Sequence, residues 1–307
     1  MARQCFGRGA DEPVGDNLCC DKPVETLDLD PPKLRSVAER LATEAADFVR
    51  RRREEVFSGT PQRESTGQAV RAKSTPTDPV TIVDTETERL LRDRLAQLRP
   101  GEHVLGEEGG GISDDSAGRP TWVVDPIDGT VNFVYGLPAY VVSVAVQVDG
   151  QSVAGAIANV VDGAVYSAAR GHGAHVRLGE TVAPLRCSGV GDLSLSLVGT
   201  GFGYDPQLRR RQASVLVELL PQVRDIRRLG SAALDLCLVA AGRLDAYFED
   251  NLNVWDWAAG TLIAAEAGAR VRVPSLSEPA GGRGMVMAAA PGVYDAFVDA
   301  LSRASGL

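Results

Sequence analysis

The sequence predicts a layered α/β sandwich, with helices packed on an antiparallel sheet in its first half and a second layer of alternating strands and helices. Three observations predict it. Between residues 140 and 169 the apolar runs YVVSVAVQV, SVAGAIANV and AVYSAA are separated by Asp149-Gly150 and Asp162-Gly163. Asp-Gly readily takes the positive φ values of two-residue hairpin turns, so these runs read as a meander. From about Leu185 the pattern changes: SLVGTG, DIRRL, DAYFE, RVRV and MVMAAA read as strands, alternating with helices over 207–220, 232–241, 254–266 and a final helix. The third observation is size. A chain of 307 residues, 44% hydrophobic and 24% charged, buries a substantial core without disulfides. The expected organisation is a disordered leader over 1–30, an N-terminal α+β half over 31–185, and a C-terminal α/β half over 186–307 that completes the site.

In order along the chain, Asp30 caps a first helix with Pro31 at its first position, and Leu34, Val37, Ala38, Leu41, Ala45, Phe48 and Val49 recur at the helical period. This helix is expected to run to about Arg53, with Arg50 to Arg53 as a solvated end that suits the helix dipole. Residues 58–77, rich in Ser, Thr, Gly and Pro, read as an exposed loop, and Lys73 in it is a candidate for contact with the site. Asp78-Pro79 signals a second helix start. Val83, Thr87, Leu90, Leu91, Leu95 and Leu98 carry that helix to near Pro100, placing Asp84 and Glu88 on one face. T-W-V-V then reads as a short buried strand that stops at Asp125, because Pro126 cannot continue the ladder.

Composition narrows the function classes. Thirty-two Lys and Arg against 41 Asp and Glu give a net charge of −9, which repels nucleic-acid phosphates unless basic groups cluster, so no nucleic-acid partner is expected. No apolar run is long enough for a membrane span and no secretory signal is recognisable, so the expectation is a cytoplasmic protein without a membrane partner. Of the five cysteines, Cys5, Cys19 and Cys20 lie in the leader, while Cys187 and Cys237 read as reduced thiols, Cys237 packed mid-helix. The G-T-G-F-G run at 199–203 lacks the downstream acid of a nucleotide fingerprint and reads as a strand-end turn. His103, and the His172 and His175 of G-H-G-A-H, which sits in the meander without acidic partners, are assigned no catalytic role.

Acidic side chains stand at the ends of elements in three places: Gly106-Glu107-Glu108, the run from Asp125 through Asp128 to Thr130, and Trp255-Asp256. A buried strand ending in Asp125, with Asp128 three residues later, aims both carboxylates at one pocket. Two carboxylates 4 Å apart repel by about 4 kcal/mol at an effective dielectric near 20, so they need cations. Oxygen ligands without nearby His or Cys point to Mg2+ or Mn2+ rather than zinc. If a helix starts at Gly129 and Thr130, their backbone N–H groups form an anion site beside the metals, and that combination specifies metal-assisted phosphoryl transfer to water. Taken singly, Asp256 also reads as a helix-start Asp, Asp84 as a helix-face acid, Ser231 as an N-cap and Glu249 as a strand-end surface acid.

The motifs WVVDPIDGTVNF, LGEE, VWDWAAGTLIAAEAGA, AKSTPTDPVTIVDTETE and RRLGSAALDLCLVAAGRLDAYFE, spread from about residue 34 to 300, resemble the inositol monophosphatase family. The resemblance implies the αβαβα sandwich shared by inositol monophosphatases and fructose-1,6-bisphosphatases. It implies that Glu107, Asp125 and the Ile127 carbonyl bind one metal ion, and that Asp125, Asp128 and Asp256 bind a second. A third ion would share Glu107, the cofactor being two or three Mg2+ with Mn2+ as a substitute. Asp84 and Thr130 correspond to the pair that activates the attacking water, with Glu107 a further catalytic residue. Gly129 and Thr130 would hold the phosphate beside Glu107, Ile127, Asp128 and Asp256, while Arg227, Gly230, Ser231, Ala232 and Glu249 would surround the alcohol. Val131 and Tyr135 depart from the residues usual at their positions, which bears on substrate fit rather than chemistry. The implied activity is hydrolysis of myo-inositol monophosphate by a lithium-sensitive homodimer acting on a small phosphomonoester. The alternatives are a fructose-1,6-bisphosphatase, a histidinol-phosphate phosphatase, a 3′-phosphoadenosine 5′-phosphate phosphatase, or a regulatory binding protein that keeps the fold.

Overall fold

The computed structural model describes residues 29–57, 70–73, 79–111, 118–274 and 284–305. The leader up to residue 28, most of the Ser/Thr-rich loop, Asp78, and Cys5, Cys19 and Cys20 lie outside the described residues. Helix α1 (Pro31–Phe57) buries Leu34, Ala38, Leu41, Ala42, Ala45 and Val49 along one stripe. Burying a Leu or Val stabilises by about 1.5–3 kcal/mol, against about 0–1 for an exposed ion pair, so packing rather than its surface Arg–Glu pairs holds this helix. It continues past Arg53 because its end is docked and not merely solvated. Arg50 Nε donates to the Val160 carbonyl at 2.8 Å, Arg53 Nε to the Phe133 carbonyl at 3.0 Å, and Phe57 meets Phe133 edge-on with centroids 5.5 Å apart.

The second helix does not start at Asp78-Pro79. Strand β1 (Val70–Ala72) pairs antiparallel with β2 (Pro79–Thr81), and α2 (Ile82–Leu98) begins after it with Thr81 as its N-cap. Pro79 is taken up by the strand, and the Thr81 backbone N–H donates to Asp84 Oδ2 at 2.9 Å in a capping box.

The first sheet comprises β3 (His103–Gly106), β4 (Pro120–Asp128), β5 (Val141–Val148), β6 (Gln151–Asn159), β7 (Val165–Ala169), β8 (Ala174–Leu178) and β9 (Thr181–Pro184), side by side in that order. Only the β3–β4 pair is parallel; β5, β6 and β7 form the expected meander, which β4 on one side and β8 and β9 on the other extend antiparallel. Pro126 does not end β4. The register against β5 shifts between Asp125 and Asp128, so proline sits in a bulge where no ladder donor is required. Helix α3 (Thr130–Tyr135) follows directly. The second sheet takes the order β11-β10-β12-β14-β13, from β10 (Leu197–Thr200), β11 (Asp225–Arg227), β12 (Ala246–Glu249), β13 (Arg270–Arg272) and β14 (Val286–Ala289). Its helices are α4 (Pro206–Leu219), α5 (Ala232–Ala240), α6 (Val254–Glu266) and α7 (Tyr294–Ser305).

Five layers result: α1 and α2, the first sheet, α5 and α6, the second sheet, then α4 and α7, which is the αβαβα sandwich expected. The central helices are rich in Ala, seven across the two, which lets two sheets close on them. A Cβ on Gly155 of β6 would come within 3.1 Å of Ala259 on α6. His175, on β8, does have an acidic partner, contrary to expectation. Its Nε2 lies 3.0 Å from Glu39 Oε1 of α1 and 3.0 Å from Ser167 Oγ, a polar contact that fastens helix to sheet. Cys187 and Cys237 are free thiols, and among the described residues no helix is long and apolar enough to cross a membrane.

Candidate active site

The C-terminal ends of β4, β10 and β12 and the first turns of α3, α5 and α6 meet at a cavity of about 460 Å³. Glu107, Asp125, Ile127, Asp128, Gly129, Thr130, Gly230, Ala232, Glu249, Asp256 and Lys73 all line it. Each acid is aimed by a local bond. Asp125 Oδ1 accepts from the Ile127 N–H at 3.0 Å across the proline. Asp128 Oδ2 accepts from Ser231 Oγ and the Ala233 N–H, both at 2.7 Å, at the opening turn of α5. Asp256, in the first turn of α6, accepts from the Asn253 N–H at 2.6 Å. Thr130 Oγ1 lies 3.1 Å from Asp84 Oδ1 and 3.1 Å from the Ile127 carbonyl, so its hydroxyl proton has two acceptors. Gly129 reaches φ +99°, and a Cβ there would fall 2.8 Å from the Ala139 carbonyl, so the turn from strand to α3 requires glycine.

The electrostatics are those of a site short of positive charge. Burial pushes Glu107 up to about 7, with Lys73 opposing and Glu108 and Asp84 adding to the rise. Burial, then Glu107, Asp128 and Asp256, drive Asp125 well above the carboxylate range, and Asp256 shifts likewise. Asp128 rises to about 6 through burial, although Ser231 and the α5 amides pull it down. Burial would lower the Lys73 ammonium, yet Glu107 and Glu108, 2.7 and 2.5 Å from Nζ, outweigh it and raise it. Asp84 is lifted by burial to about 6.

Among the described residues no three His, Cys, Asp or Glu side chains are gathered closely enough to cage a metal ion as they stand. Each acid instead turns an oxygen to a protein donor: Asp125 to the Ile127 N–H, Asp128 to Ser231, Asp256 to the Asn253 N–H and Glu107 to Lys73. The donor set nevertheless fits a hard divalent cation. Four carboxylates and the Ile127 carbonyl border one cavity, and their raised protonation is relieved by positive charge.

Two expected substrate contacts fall elsewhere. Arg227 is exposed on edge strand β11 and bound to Asp225 Oδ2 at 2.5 Å; its neighbour Arg228 lines the cavity instead. Strand alternation sends successive side chains to opposite faces, and the R-R pair left the choice open. Ser231 does not line the cavity; its hydroxyl caps α5 and holds Asp128. Sequence reasoning also passed over Gly201 to Asp205, part of it set aside as a turn, which form one wall. The signal was in its glycines: a Cβ on Gly201 would overlap the Glu249 carboxylate.

Residues 30–305 match the model of the inositol monophosphatase family. The chain is 66% identical over 283 residues to the inositol-1-monophosphatase of Mycobacterium leprae, covering 91% of this chain and 97% of that protein. It is 62% identical over 285 residues to the inositol-1-monophosphatase SuhB of Mycobacterium tuberculosis, with the same coverage of each. The solved structure of Mycobacterium tuberculosis SuhB superposes with a TM-score of 0.76 at 55% identity, covering 91% of this chain and all of that one. The chain belongs to the inositol monophosphatase family.

Proposed function

We propose that the chain is a Mg2+-dependent phosphatase that hydrolyses myo-inositol monophosphate to inositol and phosphate. The observation that carries this reading is the Thr130–Asp84 hydrogen bond standing beside four acids that line one cavity. Glu107, Asp125, the Ile127 carbonyl, Asp128 and Asp256 would hold two or three Mg2+, with Mn2+ as a substitute. Bound there, the ions would neutralise the phosphate and leaving alkoxide and lower the pKa of water. Asp84, held to about 6 by burial, is a carboxylate at neutral pH. It accepts the Thr130 hydroxyl proton, leaving the threonine oxygen free to accept one from the attacking water. The Gly129 and Thr130 amides, at the start of α3, would hold the phosphate. The departing inositol faces Glu249, whose carboxyl is lifted to about 7 by burial and which can pair ring hydroxyls, with Arg228 close by. Family membership supports the associated inference of a lithium-inhibited, cytoplasmic homodimer.

The test is phosphate release at several Mg2+ concentrations from inositol-1-phosphate, fructose-1,6-bisphosphate, histidinol phosphate and 3′-phosphoadenosine 5′-phosphate. Inositol-1-phosphate should lead by kcat/KM, and Asp128→Asn should lose more than about 100-fold, since a partner outside the ligand shell alone costs 10–100-fold. Another ester leading refutes the substrate; full activity in Asp128→Asn refutes the metal role.

A further inference from the structure

Glu88 lies outside the cavity, yet its carboxylate is 3% exposed and fully engaged by one short turn. Oε2 accepts from the Glu108 N–H at 2.6 Å and Oε1 from the Gly109 N–H at 2.8 Å. Arg92, one helical turn on in α2, supplies the countercharge with Nε 2.8 Å from Oε1. Its other nitrogens reach the carbonyls of Gly110 at 2.6 Å and Val104 at 3.3 Å, on the two arms of the turn. The turn closes on itself through the mutual Gly106 and Gly110 backbone bonds at 3.3 and 3.1 Å. A Cβ on Gly106 would collide with the Glu88 carboxylate, and one on Gly109 would lie 2.7 Å from Oε1. The two glycines therefore make room for this carboxylate. With both N–H groups drawn inward to Glu88, the side chain of Glu107 is left facing the cavity.

We infer that Glu88 is a positioning residue for cation binding: it plugs the 106–110 turn and fixes the direction in which Glu107 is presented. This rests on the metal-dependent reading above. An Asp or Glu accepting two backbone N–H bonds and an arginine cannot be mimicked by an amide, because a glutamine in its place sets its own N–H2 against one of those donors. A role confined to stability would lower the melting temperature without changing how tightly the folded protein holds a cation.

The experiment is Mn2+ titration of the full-length chain, followed by the electron paramagnetic resonance of free Mn2+, for wild type, Glu88→Gln, Gly106→Ala and Glu86→Gln. Glu86, on the same helix but paired with Arg52 on the outer face, is the control and should bind as wild type. Glu88→Gln should raise the Mn2+ Kd by roughly 10- to 100-fold. It should raise the Mg2+ concentration needed for half-maximal activity similarly, while kcat at saturating Mg2+ stays near wild type. Gly106→Ala, which keeps Glu88 but displaces it, should shift Kd in the same direction and decides the matter if Glu88→Gln does not fold. A folded Glu88→Gln or Gly106→Ala with wild-type Mn2+ affinity overturns the inference. A wild-type chain that takes up no Mn2+ removes the metal reading itself, and the inference with it.

Discussion

In the proposed reading, substrate choice turns on Glu249, which lines the cavity. Its Oε2 accepts the Tyr247 hydroxyl at 2.6 Å, and burial lifts its carboxyl to about 7. As pH rises through that value the group passes from hydrogen-bond donor and acceptor to acceptor only, and a polyol offers hydroxyl donors to match. The ratio of kcat/KM for inositol-1-phosphate over p-nitrophenyl phosphate should rise across this window. In Glu249→Gln the ratio should be flat with pH and lower by about 10-fold, the worth of one hydrogen bond to a charged group. An unchanged ratio would show that Glu249 does not touch the alcohol.

Among the elements, α2 carries the most chemistry per residue, with Thr81, Asp84 and Glu88 all buried in its first two turns. Thr81→Ala removes the N-cap and one partner of Asp84, so chemical unfolding should show a loss of about 1 kcal/mol, within the usual 0.5–2 for a cap. Thr81→Ser should restore it; equal stability of all three would mean that the helix does not depend on this cap. Its start was also the element least legible in the sequence. Asp78-Pro79 has the form of a cap, whereas the real one depends on β1 and β2, two three-residue strands too short to leave a periodic signal. The meander and the alternating second half were legible because Asp-Gly turns and apolar periods are local. The same holds for the site: the 125–130 run was readable because its acids are close in sequence. Arg228 and Glu88 were not, because their roles depend on which face of a strand or which turn of a neighbouring loop they meet in space.

At the scale of the whole molecule, the acids sit where both sheets end, so the fold carries their charge. Folded values of about 6 for Asp84 and Asp128 and about 7 for Glu107 and Glu249 exceed the ordinary 3.8 and 4.5. Between those limits the native state binds more protons than the unfolded one. The contribution of these groups to stability is therefore complete below about pH 4 and is lost as pH rises through 6 to 7. These raised values therefore cost the protein stability in EDTA as pH rises to 8. A cation binds the deprotonated acids of the native state, and at 100 times its Kd adds about 2.7 kcal/mol. The increase in Tm on exchanging EDTA for Mg2+ should therefore be larger at pH 8 than at pH 5. Taking the difference at each pH cancels exposed ion pairs, whose carboxylates shift the opposite way, such as Glu44, held near 2 by Arg94. Asp128→Asn should shrink the Mg2+ increment at pH 8, and an increment equal at both pH values would mean that these carboxylates are not where the cation binds.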